Sequence, residues 1–502
     1  MGIMEKGQPL WAKLAAGAAL VAGADFLFYK SEIGATAGVF AGALLFAVIV
    51  FHWRRWRGKA WWLVLALAGL AAAMVETPGF VAIAMFASGL MMLAGVDRRG
   101  LPGSALDWLA HLMLYGVNAL TPLVRDADTV MRSRRRAGRP SFGADTLAWI
   151  APIVLGAVFI GLFALSNPII DGWLKAIDLR SAGDAVSFKR IAFWALVFTG
   201  YWTILRPVRL RFASRNTAKF GGTEDFGPLL GKSAVLRGLL LFNLIFLAPN
   251  ALDAFYIWAG IPLPPGLSYA KYAHRGAYPL IITALIAGGF VLIVMRPGSS
   301  IEDSVAVRRF IYLWLAQNIF LVASSILRTV NYVEIYSLTY FRLYALIWMG
   351  MVALGLAFLA VKILRRKPNL WLLNANALVV VAVFYASCFI DVGGHIAMYN
   401  VKHAREVGGG GPSLDLTYLR SIGQSSLPAL QWYQQNILNE FLPNERTVTD
   451  RVENHVAQDI QSRLSTLRGW TYRAHRLSKR IAIKPEVSDA PPSEPAKSPW
   501  ID

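Results

Sequence analysis

A single cysteine, Cys388, excludes an intrachain disulfide framework and any multi-cysteine zinc or iron–sulfur site. Charge is also scarce. Only 16% of the 502 residues are charged and 56% are hydrophobic, where soluble domains carry about 25% charged residues. With a mean hydropathy of +0.47, water is excluded as the main solvent. Acid is scarcer than base, 30 Asp+Glu against 50 Lys+Arg, for a net charge of +20. Nothing resembles a Gly-rich phosphate loop or a kinase-like cytoplasmic domain, which argues against ATP-driven chemistry. Zinc-finger spacing and RNP-type aromatic motifs are also missing, so the basic excess is not read as nucleic-acid binding.

What the chain has is long apolar runs. A bilayer core about 30 Å thick needs roughly 20 apolar helical residues at about 1.5 Å each. Windows of that size predict an all-α polytopic transmembrane bundle of about eleven spans. They fall at 11–29, 33–53, 61–75, 79–96, 146–168, 188–205, 233–258, 276–295, 310–325, 338–364 and 370–389. The stretch 106–124 is interrupted by Asp107, His111, Asn118 and Thr121 and reads as an amphipathic interfacial helix. The first apolar segment is followed at once by another, so it reads as a retained anchor rather than a signal peptide.

The basic residues gather after even-numbered spans: Arg54, Arg55, Arg57 and Lys59; Arg98, Arg99 and the run Arg132 to Arg139; Arg206 to Lys232; Arg296, Arg308 and Arg309; Lys362, Arg365, Arg366 and Lys367. Lys/Arg-rich short loops stay cytoplasmic. This predicts a multi-pass membrane protein with its N-terminus inside, and the odd span count puts its C-terminal tail outside. The expected partners are the lipid bilayer, anionic headgroups at the basic loops, and a periplasmic protein reached through the tail.

Four blocks follow along the chain. Residues 1–140 form a first bundle with the interfacial helix and basic run. Residues 141–392 form a second, more aromatic bundle. Residues 393–480 form a short exported helical tail, and 481–502 a Pro/Ser-rich disordered end. In the tail, Gly408 to Pro412 reads as a flexible joint, and Ser413 as the cap of a helix to about Asn439. Val448, Val452, Val456, Ile460, Leu464 and Leu467 make a narrow helical stripe fit to pack on that helix or on a partner.

Ionisable groups at membrane depth cost roughly 2.5–3.5 kcal/mol, so each needs a partner or a task. Those near outer span ends form the expected external polar site. They are Asp253, beside Asn243, Pro249 and Asn250; Tyr269, Tyr272, His274 and Arg275; Arg328, Glu334, Tyr336, Thr339 and Arg342 in the turn between spans nine and ten; and Asp391, His395, Tyr399 and Asn400. Other readings stand beside this one. Tyrosines at span ends serve as interface anchors, and Glu334 with Arg328 or Arg342 would make an ion pair locking two helices. His274 and His395 with Asp391 and Glu334 would make a His₂-carboxylate metal set, but nothing fixes their spacing, and no catalytic, metal or cofactor residue is assigned.

Several of these residues carry a resemblance. The run from Leu263 to Leu280, with Pro264-Pro265-Gly266 and Tyr269-Ala270-Lys271-Tyr272-Ala273-His274-Arg275, resembles a signature of a bacterial polytopic membrane family. So do Glu334-Ile335-Tyr336-Ser337-Leu338-Thr339 with Arg342-Leu343-Tyr344-Ala345, Asp391 with His395 to Val401, and the tail phrase Leu414-Asp415-Leu416-Thr417-Tyr418-Leu419. The family is the domain of unknown function 4173, related to 4153. The resemblance spans roughly residues 190–440; it implies a bacterial inner-membrane protein and supplies no activity.

The expectation is a transport or envelope-associated accessory or signalling protein with a polar site on the periplasmic face. The alternative is a membrane-embedded enzyme acting from that side on a lipid-linked substrate. The glycosyltransferase-like layout supports the alternative, while an early outer loop offering only Lys30-Ser31-Glu32 counts against it.

Overall fold

The structure, a computed structural model, describes residues 10–53, 56, 58, 60–96, 101–118, 121–122, 125–126, 188–205, 232–262, 286, 289–290, 304–438 and 444–481. The expected span 146–168, most of 276–295, the basic run after Arg132 and the Pro/Ser-rich end lie outside them. All regular secondary structure among the described residues is helical.

The first bundle consists of α1 (Leu10–Phe28), α2 (Thr36–His52), α3 (Ala60–Glu76), α4 (Phe80–Gly95), α5 (Ala105–Val117) and α6 (Phe188–Leu205). Its core comprises Leu45, Val48, Val64, Leu67, Leu70, Phe86, Leu90 and Leu93 with Ile204 of α6. Small residues let the backbones approach: a Cβ on Gly38 of α2 would collide with the Ala71 carbonyl of α3. α6 falls in the block 141–392 yet packs on α1. Asp25 of α1 accepts from the Arg190 guanidinium and, at 2.8 Å, from Trp194 Nε1. Only 13 residues long, α5 is too short to cross a bilayer. Ser104 caps it, and its Ala105 N–H donates to Asn374 Oδ1 at 2.8 Å.

Among the described residues, four helices are long and apolar enough to cross a membrane; all lie in the second bundle, and they mark the chain as a membrane protein. They are α7 (Lys232–Asp253, continued by a π-helical turn Ala254–Trp258), α8 (Val305–Tyr336), α9 (Tyr340–Leu364) and α10 (Asn369–Ser387). Val235, Leu239, Val307, Ile311, Trp314, Leu356 and Leu359 fill its core. α8 corrects the expected boundary at 325. It has 32 residues, roughly 48 Å at 1.5 Å each, so Arg328 to Tyr336 are helical and the turn shrinks to Ser337-Leu338-Thr339. The charges that ended the apolar window ride on a helix longer than the membrane core.

The C-terminal module contains α11 (Val392–His403), α12 (Leu416–Ile422), α13 (Leu427–Asn436), α14 (Asn444–Leu464) and α15 (Tyr472–Ser478). Its separate core gathers Val401, Leu419, Leu427, Leu430, Tyr433, Val456 and Ile460, flanked by Val452 and Leu464. The middle of the expected stripe, Val452 to Leu464, therefore packs inward on α12 and α13, while its ends, Val448 and Leu467, are exposed. The single helix expected from Ser413 is two. Asp415 is the cap, accepting from Tyr418 N–H at 2.9 Å. Gly423, at φ +73°, ends α12, and Pro428 sits in the first turn of α13, where its missing N–H costs nothing.

The glycine run is likewise a built turn rather than a loose joint. Gly409 N–H donates to Ala404 O at 3.0 Å, Gly411 N–H to His403 O at 2.9 Å, and Arg405 N–H to Pro412 O at 3.2 Å. A Cβ on Gly409 or Gly411 would collide with that backbone, and Gly408 sits at φ +80°.

A candidate cavity where the C-terminal module meets the helix ends

α8 ends at Tyr336 because Ser337 takes a positive φ of 69°, and Thr339 then caps α9 by accepting from Arg342 N–H. Left alone, this turn would expose unpaired backbone groups. The module satisfies them. Asn400 of α11 accepts from Leu338 N–H at 2.8 Å and donates to Leu338 O at 2.9 Å. The Tyr418 hydroxyl accepts from Tyr340 N–H at 2.9 Å. Arg342 folds back from α9, donating to the carbonyls of Tyr336 and Ser337 and lying 4.3 Å over the Tyr332 ring. A cation on the last carbonyls of α8 also meets the negative end of that helix's dipole.

Above the turn lies a cavity of about 280 Å³. Val333, Glu334 and Ser337 form one wall, Tyr399, Asn400 and His403 of α11 another, and Gly410, Gly411 and Pro412 the rim. His403 stacks on Tyr399 with ring centroids 4.0 Å apart. Its Nδ1 lies 2.8 Å from Tyr399 O. A carbonyl only accepts, so Nδ1 holds the proton and Nε2 of the neutral ring is left to accept. Burial, and then the Glu334 charge, push the Tyr399 phenol above its ordinary value, so it remains a neutral donor. The cavity thus presents a carboxylate, a phenol and an imidazole on largely prebuilt backbone.

A second set of contacts pins the module to other helix ends. Arg473 donates to Asp391 Oδ1 and Ser425 Oγ, each at 3.0 Å, and lies 3.6 Å from Glu76. Arg476 reaches Glu76 at 2.7 Å. Ala35 N–H donates to Trp470 O at 2.7 Å, and Arg468 to Ser31 Oγ at 2.7 Å.

Of the expected external site, Glu334, Tyr399 and Asn400 therefore line one cavity, and Tyr336, Thr339 and Arg342 build the turn beneath it. Asp391 caps α11, accepting from Gly394 N–H at 3.1 Å, and holds Arg473, while His395 Nδ1 donates to Asp391 O at 2.7 Å. Asp253 and Arg328 pair with each other between α7 and α8. The ion pair expected of Glu334 is not what forms: Arg328 takes Asp253, and Arg342 takes carbonyls. Tyr269, Tyr272, His274 and Arg275 lie outside the described residues. Among the described residues, no three His, Cys, Asp or Glu side chains gather as a metal site requires. Sequence inspection missed His403, Glu76 and Arg473, and quoted Tyr418 only within the family-like tail phrase. The spacing His395, Tyr399, His403, four residues apart on one helix face, was the signal for the first.

A family model described as Domain of unknown function (DUF4153) matches residues 77–432, from the turn after α3 into α13. No curated protein and no solved structure matches the chain.

Proposed function

From the premise that the chain belongs to the DUF4153 family, we propose that it is a bacterial inner-membrane accessory protein of envelope transport or signalling. Its C-terminal module, on the periplasmic face, receives a small polar ligand in the cavity between α8 and α11. The observation that carries this is the cavity itself: about 280 Å³, just below the usual range of small-ligand pockets and so sized for a small ligand, and bordered by Glu334, Tyr399 and His403. The Glu334 carboxylate with a neighbouring aromatic face suits a protonated amine; the His403 Nε2 and the Tyr399 hydroxyl suit hydroxyls on the same ligand.

Orientation is supported by the contacts. The module touches residues 31–35, Glu76, 337–340 and 391, all connections after odd-numbered spans. Arg365, Arg366 and Lys367 lie at the opposite end of α9. With the positive-inside rule, this separation supports the reading in which the module stands outside.

The test is binding of phosphoethanolamine and of glucosamine to the purified full chain, read as a rise in melting temperature. At least one should raise it; Glu334→Gln should abolish the rise. No shift with either probe, or an undiminished shift in the variant, would overturn the reading. The enzymatic alternative keeps one supporting observation, a carboxylate and an imidazole in one cavity, the residue types of general acid–base catalysis. Chemical conversion of a bound lipid-linked sugar would favour it.

A further inference from the structure

The face of α7 that packs on α8 is polar along its outer half. Asn243 donates to Phe310 O at 3.1 Å and accepts from Gln317 Nε2 at 3.3 Å. Nearly three turns further on, Asp253, 1% exposed, pairs with Arg328. The partners are 74 residues apart in the first case and 75 in the second. The helices therefore run parallel, and the same offset would set Asn250 near Ser324 and Ser325, whose hydroxyls are engaged elsewhere: Ser324 Oγ accepts from Trp258 Nε1 at 2.9 Å and Ser325 Oγ donates to Leu321 O at 2.8 Å.

Asn250 is 7% exposed, and neither its Nδ2 nor its Oδ1 has a hydrogen-bond partner. An amide offers two donors and two lone pairs, and buried polar groups in native structures are almost always satisfied. The backbone is irregular on both sides. Pro249 removes a helical N–H and frees the carbonyl four residues earlier. Four residues beyond Asn250, the helix loosens into the π-turn Ala254–Trp258, a feature frequent at functional sites. The missing partner must donate and accept at once and be small. Asp253 already holds a cation, so a second cation has no free carboxylate here.

The geometry points to a water site between α7 and α8 at Asn250, which makes the outer half of this seam a hydrated path leading to the Asp253–Arg328 pair. A buried water typically makes about three hydrogen bonds to otherwise unsatisfied groups, and irregular backbone at membrane depth is tolerated where it lines such a cavity. The site is separate from the cavity at Glu334 and does not rest on its ligand.

The test is thiol accessibility in the full chain, with Cys388→Ser removing the native thiol. Single cysteines are placed by Asn250→Cys, by Ser325→Cys and, on the exposed apolar face of α7, by Leu247→Cys. Methanethiosulfonate ethylammonium reacts with thiolates, which form only where water reaches. The seam cysteines should react at least tenfold faster than Leu247→Cys. If Asn250→Cys fails to fold, the nearly isosteric Ser325→Cys decides alone. Seam positions reacting as slowly as the apolar face would overturn the proposal.

Discussion

Asn400 makes two hydrogen bonds to a single residue of another hairpin, and that pair ties the module to the membrane helices. Each bond contributes about 1 kcal/mol, and stranding a buried partner costs about 1–3 more. Asn400→Leu should therefore destabilise the docked module by about 2–3 kcal/mol, whereas Tyr418→Phe, losing one acceptor, should cost about 1 kcal/mol; denaturant unfolding measures both. Tyr399 gives a pH prediction. Its raised pKa means its contribution is intact below the unfolded value of about 10 and lost as pH rises through the folded value. Tyr399→Phe should flatten the fall of melting temperature above about pH 10; an unchanged alkaline slope would contradict the assignment. Glu334, Tyr399 and Asn400 were legible in the sequence because polar groups at span ends need a reason to be there. The partner of Arg342 was not, because the unpaired carbonyls of a helix end compete for a guanidinium as strongly as a carboxylate does, and sequence does not show where that end falls.

At the scale of elements, the glycine turn between α11 and α12 makes a matched pair of predictions. Gly411→Ala would drive a methyl into the His403 carbonyl, while the same change at Gly410 meets open space. The first should destabilise the module by about 1–3 kcal/mol, and the second should stay within about 0.5 kcal/mol; thermal unfolding separates them. Composition suggested flexibility here, since glycine serves both loose linkers and tight approaches and only the packed backbone tells them apart. The helices 232–258, 340–364 and 369–387 were legible because an apolar window and a bilayer share one length. The outer third of α8 was not, since its Arg328, Asn331 and Glu334 stand on turns projecting beyond the apolar window.

For the whole molecule, the carboxylates Glu76 and Asp391 belong to separate helix connections and share Arg473 of the module. The guanidinium is 14% exposed and the two acids about twice that. Reversing its charge should raise the undocked population about fivefold, from a pair energy of about 1 kcal/mol. Faster tryptic cleavage of Arg473→Glu at Arg405, partly restored by Glu76→Arg, is the expected readout. No window of sequence announces this contact, because its residues lie far apart in the chain and each alone looks like an ordinary surface charge.

Everything functional depends on the module standing outside the cell membrane at the ends of these helices. In a Cys388→Ser chain, His403→Cys and Lys367→Cys place a thiol at exposed positions beside the cavity and at the far end of α9. Treated with a membrane-impermeant maleimide in intact spheroplasts, His403→Cys should label at once and Lys367→Cys only after the membrane is opened. The reverse pattern would put the cavity in the cytoplasm and contradict the account.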